Sequence, residues 1–574
     1  MSPFVPASPI ANSPLSWRAY VSRWAVLLLP LLLLLLAAWR PLALPDEGRY
    51  AEVGRWMLSS GDWLTPRLDG VPFFHKPPLL YWLEAVSMQL FGVTPWAARL
   101  VVVLHACLMW GCMVLCTRHI ADAATARRAA WMLGTSLAFL VGGQYLNHDM
   151  VVATWMGLAI WCFARALMHP VGVHANWARA GFLACALGVL SKGLIGVLLP
   201  GFVLTLWVLW TWQWRKVWAL PWVSGVLLFL AVALPWFLLA AREHPDMLAY
   251  MFGKHQFGRY TATTFNNARP WWFYGVAVVL LMFPWVFFAL AHGWQRVWMG
   301  LRLAWQRKTG QVPLAPIAQR APEDFEQALS AAKAALVQRH WVALCWIWVL
   351  GILLFFSIPN SKLIGYALPV VPPLAVLAAL WWQQHMVSRA WAGRVFASLV
   401  GVCLVSAFAA NIVASRYTLR HSSADVANLL ACHVAPDDVV AAVDEYPYDL
   451  PFYAQLSQPI EVLQDWDNER RTAGDNWRRE LFEGADFDAQ AARVLQPVSR
   501  LDALQQQSSA WVLAPNDSAR VNLQRHTGFD LVLGGQAWSL YRSKAAGSVA
   551  TPESPQATER KGLGRCQQQR DEQR

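Results

Sequence analysis

Charge is what this sequence has least of. Only 14% of its 574 residues are charged while 56% are hydrophobic, against roughly 25% charged in an ordinary soluble domain, and that balance excludes a soluble globular protein. A cleavage signal is missing too. The first apolar run, from about Val21 to Trp39, follows Arg18 and Arg23 and ends in "WRPLALPDE" without a small-x-small pattern, so it reads as a retained transmembrane helix and not a removed signal peptide. Cysteine spacing of the disulfide or metal kind is absent: Cys107, Cys112, Cys116, Cys162, Cys185, Cys345 and Cys403 lie in apolar segments, leaving Cys432 and Cys566 outside them. No framework is expected. There is no internal repeat, and the apolar runs lack the mid-membrane charges that mark a flippase or transporter.

What is abundant is tryptophan, with 35 copies. Many sit at the ends of apolar runs ("TWQWRKVW", "RPWWFY", "LWWQQH"), where an amphipathic ring suits the headgroup layer, and an aromatic belt accounts for nearly all of them. The net charge of +12 is assigned to membrane orientation and anionic lipid, with no nucleic acid as partner.

Apolar segments long enough to span occur near 21–39, 97–117, 129–145, 150–168, 180–191, 194–212, 217–241, 271–292, 340–357, 363–383 and 391–413, which is about eleven helices for a bilayer that needs about 20 residues each. Short loops rich in Lys and Arg fall on alternate sides of this count. By the positive-inside bias they are cytoplasmic, and the loops 40–96, 146–149, 191–193, 242–270 and 358–362 then face outward, as does everything after Ser415. The expected organisation is a cytoplasmic N-terminus (1–20), a transmembrane domain (21–413) with a long first outward loop (40–96), a small outward α/β domain (414–545) and a disordered tail (546–574). The α/β domain is read from short β-like runs ("DDVVAAV", "PIEVL", "SAWVLAP", "FDLVLGG", "WSLYRS") alternating with helix-compatible stretches. The tail has almost no large apolar residues. The stretch 309–338 reads as a cytoplasmic insertion without a functional reading.

The conspicuous polar residues lie in the outward loops: "LPDEGRYAEVGRW", "FFHKPPLLYW", "NHDM", "LSKGL", "GKHQFGRY" and "FSIPNSKLIGYALPVVPP". Such a set suits an anionic substrate with an anionic leaving group. Arg49, Lys76, Arg259 and Lys362 could hold a phosphate by charge-assisted hydrogen bonds. Asp46 or Asp149 could act as a base, or stabilise positive charge developing at an anomeric carbon.

These loops, in this order and spacing, resemble those of the bacterial polyprenyl-phosphate-dependent glycosyltransferases of the GT-C type. The sequence is most similar to the lipid A aminoarabinose transferases, with the protein O-mannosyltransferases as more distant relatives. The likeness runs from about 17 to 415, and "DEYPYDLPFYAQ" in the tail also resembles the aminoarabinose branch. The resemblance implies a polytopic α-helical membrane protein with eleven to thirteen spans and a small periplasmic α/β domain. Two further helices would then lie near Leu79 to Phe91 or in 293–339. It also implies an inner-membrane enzyme that transfers a sugar from undecaprenyl phosphate on the periplasmic side, by inversion, to lipid A or another envelope acceptor. By the same resemblance Asp46 is the catalytic carboxylate, Glu47 its neighbour in an acidic pair, and Asp149 a secondary catalytic or acceptor-binding residue. Arg49, Lys76, Arg259 and Tyr366 match donor-phosphate contacts, with Lys362 beside them. The acceptor could equally be a protein or another glycan.

Plainer roles stand next to these. Asp46 could merely cap an interfacial helix, Lys76 could anchor at the headgroups before Pro77 and Pro78, and Arg259 could pair with a lipid headgroup. Lys192 reads as structural. No cofactor is assigned, and a divalent metal would need His148 or His255 to meet a carboxylate of the tail domain.

Overall fold

In the computed structural model the described residues are 26–258, 267–309, 322–474, 476, 478–517, 523 and 526–546. Arg259, the N-terminal segment 1–25, residues 310–321 of the insertion and the tail from 547 lie outside them.

Apart from 129–145, the predicted spans fall largely on helix among the described residues. The first is α1 (Leu28–Trp39), followed in the long outward loop by α2 (Asp46–Ser60), a two-stranded hairpin β1 (Arg67–Leu68) and β2 (Val71–Pro72), and α3 (Leu79–Phe91). Then come α4 (Pro95–Ile120), α5 (Ala123–Gly134), α6 (His148–Leu167), α7 (Ala175–Lys192), α8 (Ile195–Thr211) and α9 (Trp222–Glu243). After a π-helical stretch (Ala249–Gly258) follow α10 (Phe273–Met282), α11 (Trp285–Lys308), α12 (Pro322–Ser357), α13 (Val371–His385) and α14 (Ala392–Leu419).

Among the described residues six helices are long and apolar enough to cross a membrane alone, and the pair α10 with α11, bent by 118°, is a broken span or a re-entrant loop. Helices α1, α3 and α8 are apolar but shorter, at 10–17 residues. The helix in the first loop was expected near Leu79 to Phe91 and is α3. The expected span 129–145 is instead broken at Thr135 and Ser136, where the Ser136 side chain accepts from Phe139 N and starts a new short turn.

Burial separates interior from lipid-facing helices. The apolar window of α6 is 83% buried and that of α14 only 17%, so α6 is a core helix and α14 presents its side chains to lipid. The belt reading of tryptophan holds for exposed rings such as Trp212, Trp218, Trp271 and Trp294 but not for Trp207, Trp285, Trp348 and Trp382, which are fully buried packers. Trp207 donates its indole N–H to the His340 carbonyl at 2.9 Å, and Trp348 meets Trp161 edge-on with centroids 5.2 Å apart. Buried indoles need such partners.

The chain leaves the membrane by α14, which runs on to Leu419, past the expected boundary. The C-terminal domain then opens on α15 (Ala424–His433) and carries one six-stranded sheet of order β5-β4-β3-β6-β8-β7. Its strands are β3 (Val439–Val443), β4 (Glu461–Leu463), β5 (Leu495–Gln496), β6 (Ala510–Pro515), β7 (Phe529–Gly534) and β8 (Trp538–Ser543). The first four in chain order pair in parallel, and β8 and β7 close the sheet in antiparallel fashion. All five β-like runs read from the sequence are strands, while the two-residue β5 lies where helix was expected. Cys432 in this domain is disulfide-bonded, contrary to the expectation that no cysteine would pair.

This domain is fastened to the first outward loop. The Leu42 amide donates to the Tyr453 hydroxyl at 2.9 Å, the Ile460 amide to Asp69 at 2.8 Å, and Arg67 pairs with Asp488 at 2.9 Å. The loop and the domain therefore form one roof over one end of the helical bundle.

Candidate active site

Helix α2 organises the site because its first turn carries Asp46, Glu47, Arg49 and Tyr50, and a helix distributes consecutive residues over different faces. Asp46 is not a cap. Pro45 occupies the N-cap position without a side-chain hydrogen bond, and Asp46 and Glu47 fall in the first turn, where negative charge suits the helix dipole.

Glu47 turns inward and is completely buried. Its carboxylate accepts from both terminal nitrogens of Arg40, from Arg99 Nε at 3.1 Å and Nη2 at 2.7 Å, and from the amides of Ala43 and Leu146 at 2.7 and 2.8 Å. Arg99 in turn donates to the carbonyls of Ala37, Arg40 and Pro41, the unpaired groups at the end of α1. Burial alone would raise the Glu47 carboxyl, but Arg99 and Arg40 more than reverse this and hold it well below the usual carboxylate range. Six donors fill its oxygens, so Glu47 ties α1, α2, α4 and the 146 turn together.

Asp46 faces the other way, with its side chain 37% exposed. One oxygen accepts from Arg49 Nη2, and the other from the Tyr145 hydroxyl at 3.2 Å. Arg49 bridges onward to Glu480, on α16 (Arg478–Ala485) of the C-terminal domain, while its Nε and Glu480 Oε2 are buried without a partner among the described residues. Burial pushes the Glu480 carboxyl up even with Arg49 beside it.

Asp149 stands in the first turn of α6, where Asn147 caps the helix by accepting from the Asp149 amide at 2.9 Å and also donates to Asp149 Oδ2 at 3.2 Å. Its other oxygen takes Lys192, the last residue of α7. Gly193 follows with φ +81, a left-handed conformation that lets the chain turn sharply into α8 and leaves the lysine at the turn. Lys192 Nζ also lies 4.6 Å from the centre of the Tyr366 ring. Tyr366 sits in a 3-10 segment (Ile364–Val370), and a Cβ on neighbouring Gly365 would collide with the Asp149 carboxylate. Only glycine admits that approach.

Between these two groups stands His148, buried, with both ring nitrogens unpartnered among the described residues. It packs edge-on against Tyr50 at 4.8 Å and Tyr81 at 5.2 Å. The charges of Lys76, Lys192 and Arg49 all bear on it. Tyr50 is surrounded likewise: burial raises its hydroxyl first, Arg49 lowers it, and Asp46, Glu480 and Asp149 raise it further. Asp46, Arg49, Lys76, Asp149, Lys192 and Tyr366 thus surround one region. Lys362 does not join it: buried at the 359–363 loop, its ammonium donates to the carbonyls of Pro359 and Arg269.

A second cluster adjoins. His75, His255 and Glu483 bring three possible ligand atoms within 4.8 Å of one another, a wider spacing than the roughly 3.3 Å between ligands of a tetrahedral zinc with bonds of about 2.0 Å. The tail-domain carboxylate that metal binding by His255 would need is Glu483. It accepts from the Tyr250 hydroxyl at 2.7 Å and from Lys254 and Arg479 at 2.8 Å each. These donors and His255 hold its carboxyl well below the usual range although burial works the other way.

Sequence reasoning read Lys192 as structural, where it pairs with Asp149, and did not find Glu480 or the Arg40–Arg99 pair. The signals were present: a lysine inside an otherwise apolar turn, and an arginine in the first turns of an apolar run, each need a buried partner.

With this geometry in view, the comparisons with known proteins are informative. The family described as dolichyl-phosphate-mannose-protein mannosyltransferase matches residues 75–238. An undecaprenyl phosphate-alpha-4-amino-4-deoxy-L-arabinose arabinosyl transferase of Pseudomonas fluorescens is 30% identical over 365 residues, covering 62% of this chain and 59% of that protein. One from Sodalis glossinidius is 31% identical over 346 residues, covering 59% of this chain and 55% of that one. The matched part therefore spans under two thirds of those relatives' length. Among solved structures, ArnT from Cupriavidus metallidurans bound to undecaprenyl phosphate superposes with a TM-score of 0.71 at 23% identity, over 92% of this chain and 100% of that one. The fold is the polytopic GT-C type with a small C-terminal α/β domain, and the resemblance to aminoarabinose transferases read from the loops is matched by the named relatives.

Proposed function

We propose that this protein is a glycosyltransferase of the inner membrane that moves an aminoarabinose-type sugar from undecaprenyl phosphate to lipid A, with its site facing the periplasm. The observation that carries the reading is that two acid–base pairs, Asp46 with Arg49 and Asp149 with Lys192, act together on Tyr50 and His148, with the charge of Lys76 on the same histidine and Tyr366 against Lys192. The chain's likeness to arabinosyl transferases that use this donor supports the choice of sugar carrier. The disulfide at Cys432 supports an oxidising side for the roof.

The chemistry follows from charge. An acceptor oxygen attacks the anomeric carbon as the bond to the lipid phosphate breaks, and the bonding pair leaves with that phosphate. Lys76, Lys192 and Arg49 neutralise the charge gathering there. An acceptor phosphate is already ionised and needs no base, so Asp46 then stabilises the positive character at the sugar; with a hydroxyl acceptor Asp46 takes the proton. Glu480 holds Arg49 from above, which couples the C-terminal domain to the site.

A second reading, with a protein hydroxyl as acceptor, is favoured by the mannosyltransferase family match over 75–238. Mass spectrometry of lipid A from cells with and without the protein separates the two. A sugar-sized mass increase on lipid A that disappears with the Asp46→Asn variant is expected, and unchanged lipid A in all strains would overturn the first reading.

A further inference from the structure

At the opposite end of the bundle from the roof lies a cavity of about 760 Å³ enclosed by α5, α13 and α14. Its distance from the site follows from helix lengths. Helix α4, 26 residues long, begins close to the Glu47 cluster and ends at the turn before α5, and α14, 28 residues long, begins at the cavity and ends at the C-terminal domain. At 1.5 Å per residue each covers roughly 40 Å. The cavity therefore opens at the other membrane face, the one that positive-inside counting assigns to the cytoplasm.

Its lining is mixed: Arg127, Arg128 and Arg389 line it together with Trp131, Trp382, Phe396 and Val400. Acids are sparse around these cations. None occurs between Glu326 and Asp425, and Asp122, whose charge bears on Arg128, is the one acid between Glu84 and Asp149. Asp122 is occupied by the amides of Ala124 and Thr125, at 2.7 and 2.8 Å, and by the Thr125 hydroxyl at 2.7 Å. Among the described residues none of the three arginines forms an ion pair; Arg128 donates to the neutral side chain of Gln383. A wholly apolar lining would suit any chain of lipid, and scattered arginines any headgroup. Three guanidiniums sharing one lining with aromatic and aliphatic side chains suit a molecule that is anionic at one end and apolar at the other.

We propose that this cavity binds an anionic phospholipid of the leaflet facing away from the C-terminal domain. Its phosphate is held by Arg127, Arg128 and Arg389, and part of an acyl chain lies along Trp131, Phe396 and Val400. Basic pockets between transmembrane helices on the cytoplasmic side are suited to such headgroups, and each arginine near an anionic surface contributes roughly a fivefold gain in binding. The volume falls within the roughly 300–1,000 Å³ of pockets that hold small ligands, enough for a headgroup and the first part of a chain. Helix α13 forms one wall here and leads at its other end into the segment bearing Tyr366, so an occupant would brace the helix that supports the phosphate site.

The test is native mass spectrometry of the full chain in detergent, titrated with phosphatidylglycerol, phosphatidylcholine or inorganic phosphate. Binding of phosphatidylglycerol well above phosphatidylcholine is expected, with inorganic phosphate failing to compete. Replacing all three arginines (R127Q, R128Q and R389Q together) should weaken phosphatidylglycerol on the order of a hundredfold. Ala397→Trp leaves every arginine in place and fills the cavity beside Phe396, so it should abolish the preference even if the triple variant folds poorly. Equal binding of the two lipids, competition by inorganic phosphate at equal concentration, or retained phosphatidylglycerol binding in Ala397→Trp would each overturn the proposal. No sugar donor is involved, so the result stands apart from the function proposed above.

Discussion

Two neighbouring acids at the start of α2 end in opposite environments. Glu47 is buried, with two arginines and two backbone amides exhausting its oxygens. Asp46, one residue earlier, is 37% exposed and belongs to a group that is left incomplete: Arg49 Nε, Glu480 Oε2 and both nitrogens of His148 lack partners among the described residues. A saturated ionic cluster holds a fold, and an unsaturated one of similar composition costs free energy unless something else completes it. The difference is between a cluster completed within the protein and one left open, and it is the open one that the proposed function uses.

The sharpest way to break this contrast is to neutralise each acid. Asp46→Asn keeps the shape and removes the charge, and transfer from an undecaprenyl-phosphate sugar by purified protein should fall about 10²–10⁴-fold with the melting temperature almost unchanged. Glu47→Gln should do the reverse, because it strands Arg40 and Arg99 in a buried site. A loss of about 3–5 kcal/mol is expected, seen as a lower melting temperature and poor yield, with near-normal turnover in the protein that does fold. If Asp46→Asn proved chiefly a folding defect, the contrast would collapse.

Smaller effects test the members sequence reasoning did not rank. Lys192→Ala removes the partner of Asp149 and a cation at the phosphate region, and a rise in KM for the donor of roughly 10–100-fold is expected, in line with about 1.5–3 kcal/mol for a charged hydrogen bond. Lys362→Ala, whose ammonium binds only backbone carbonyls among the described residues, should leave donor KM within about threefold and lower thermal stability by about 1–2 kcal/mol.

The smallest effect concerns pH. Glu483 has its folded-state pKa depressed, so the stability it contributes is fully present above the unfolded carboxylate value of about 4.3 and is lost as pH falls through the lower folded value. Glu483→Gln should therefore melt earlier than wild type at pH 7, and the gap should shrink in scans below about pH 4. A gap that stays constant across that range would remove Glu483 from the contacts that dock the C-terminal domain.

Much of this molecule was legible in the chain. Apart from 129–145, the apolar windows that predict spans fall largely on helix among the described residues, because a bilayer makes hydropathy and helix length obligatory. The runs "DDVVAAV", "PIEVL" and "SAWVLAP" fall on strands for the equally local reason that β-branched and aromatic residues suit a pleated surface. Asp46, Arg49, Lys76, Asp149 and Tyr366 stood out because polar residues in a greasy chain are few. The breaks were harder to read: the interruption at Thr135 and the bend between α10 and α11 depend on side chains and neighbours that local hydropathy averages away.

Which of those polar residues react and which hold was beyond the sequence. "DE" at 46–47 is a symmetrical pair as text, and a helix separates the two side chains by about 100°, but only tertiary structure decided that Arg99 of α4 and Arg40 at the end of α1 would meet Glu47. The same holds for Lys192, 43 positions from Asp149, and for Glu480, 431 positions from Arg49. Composition and hydropathy determined a membrane-spanning helical bundle, because solvation by lipid acts on each residue where it stands. The partnership of charges was settled by folding, because the energy of a buried ion depends on what is within a few ångströms of it and not on what is next to it in the chain.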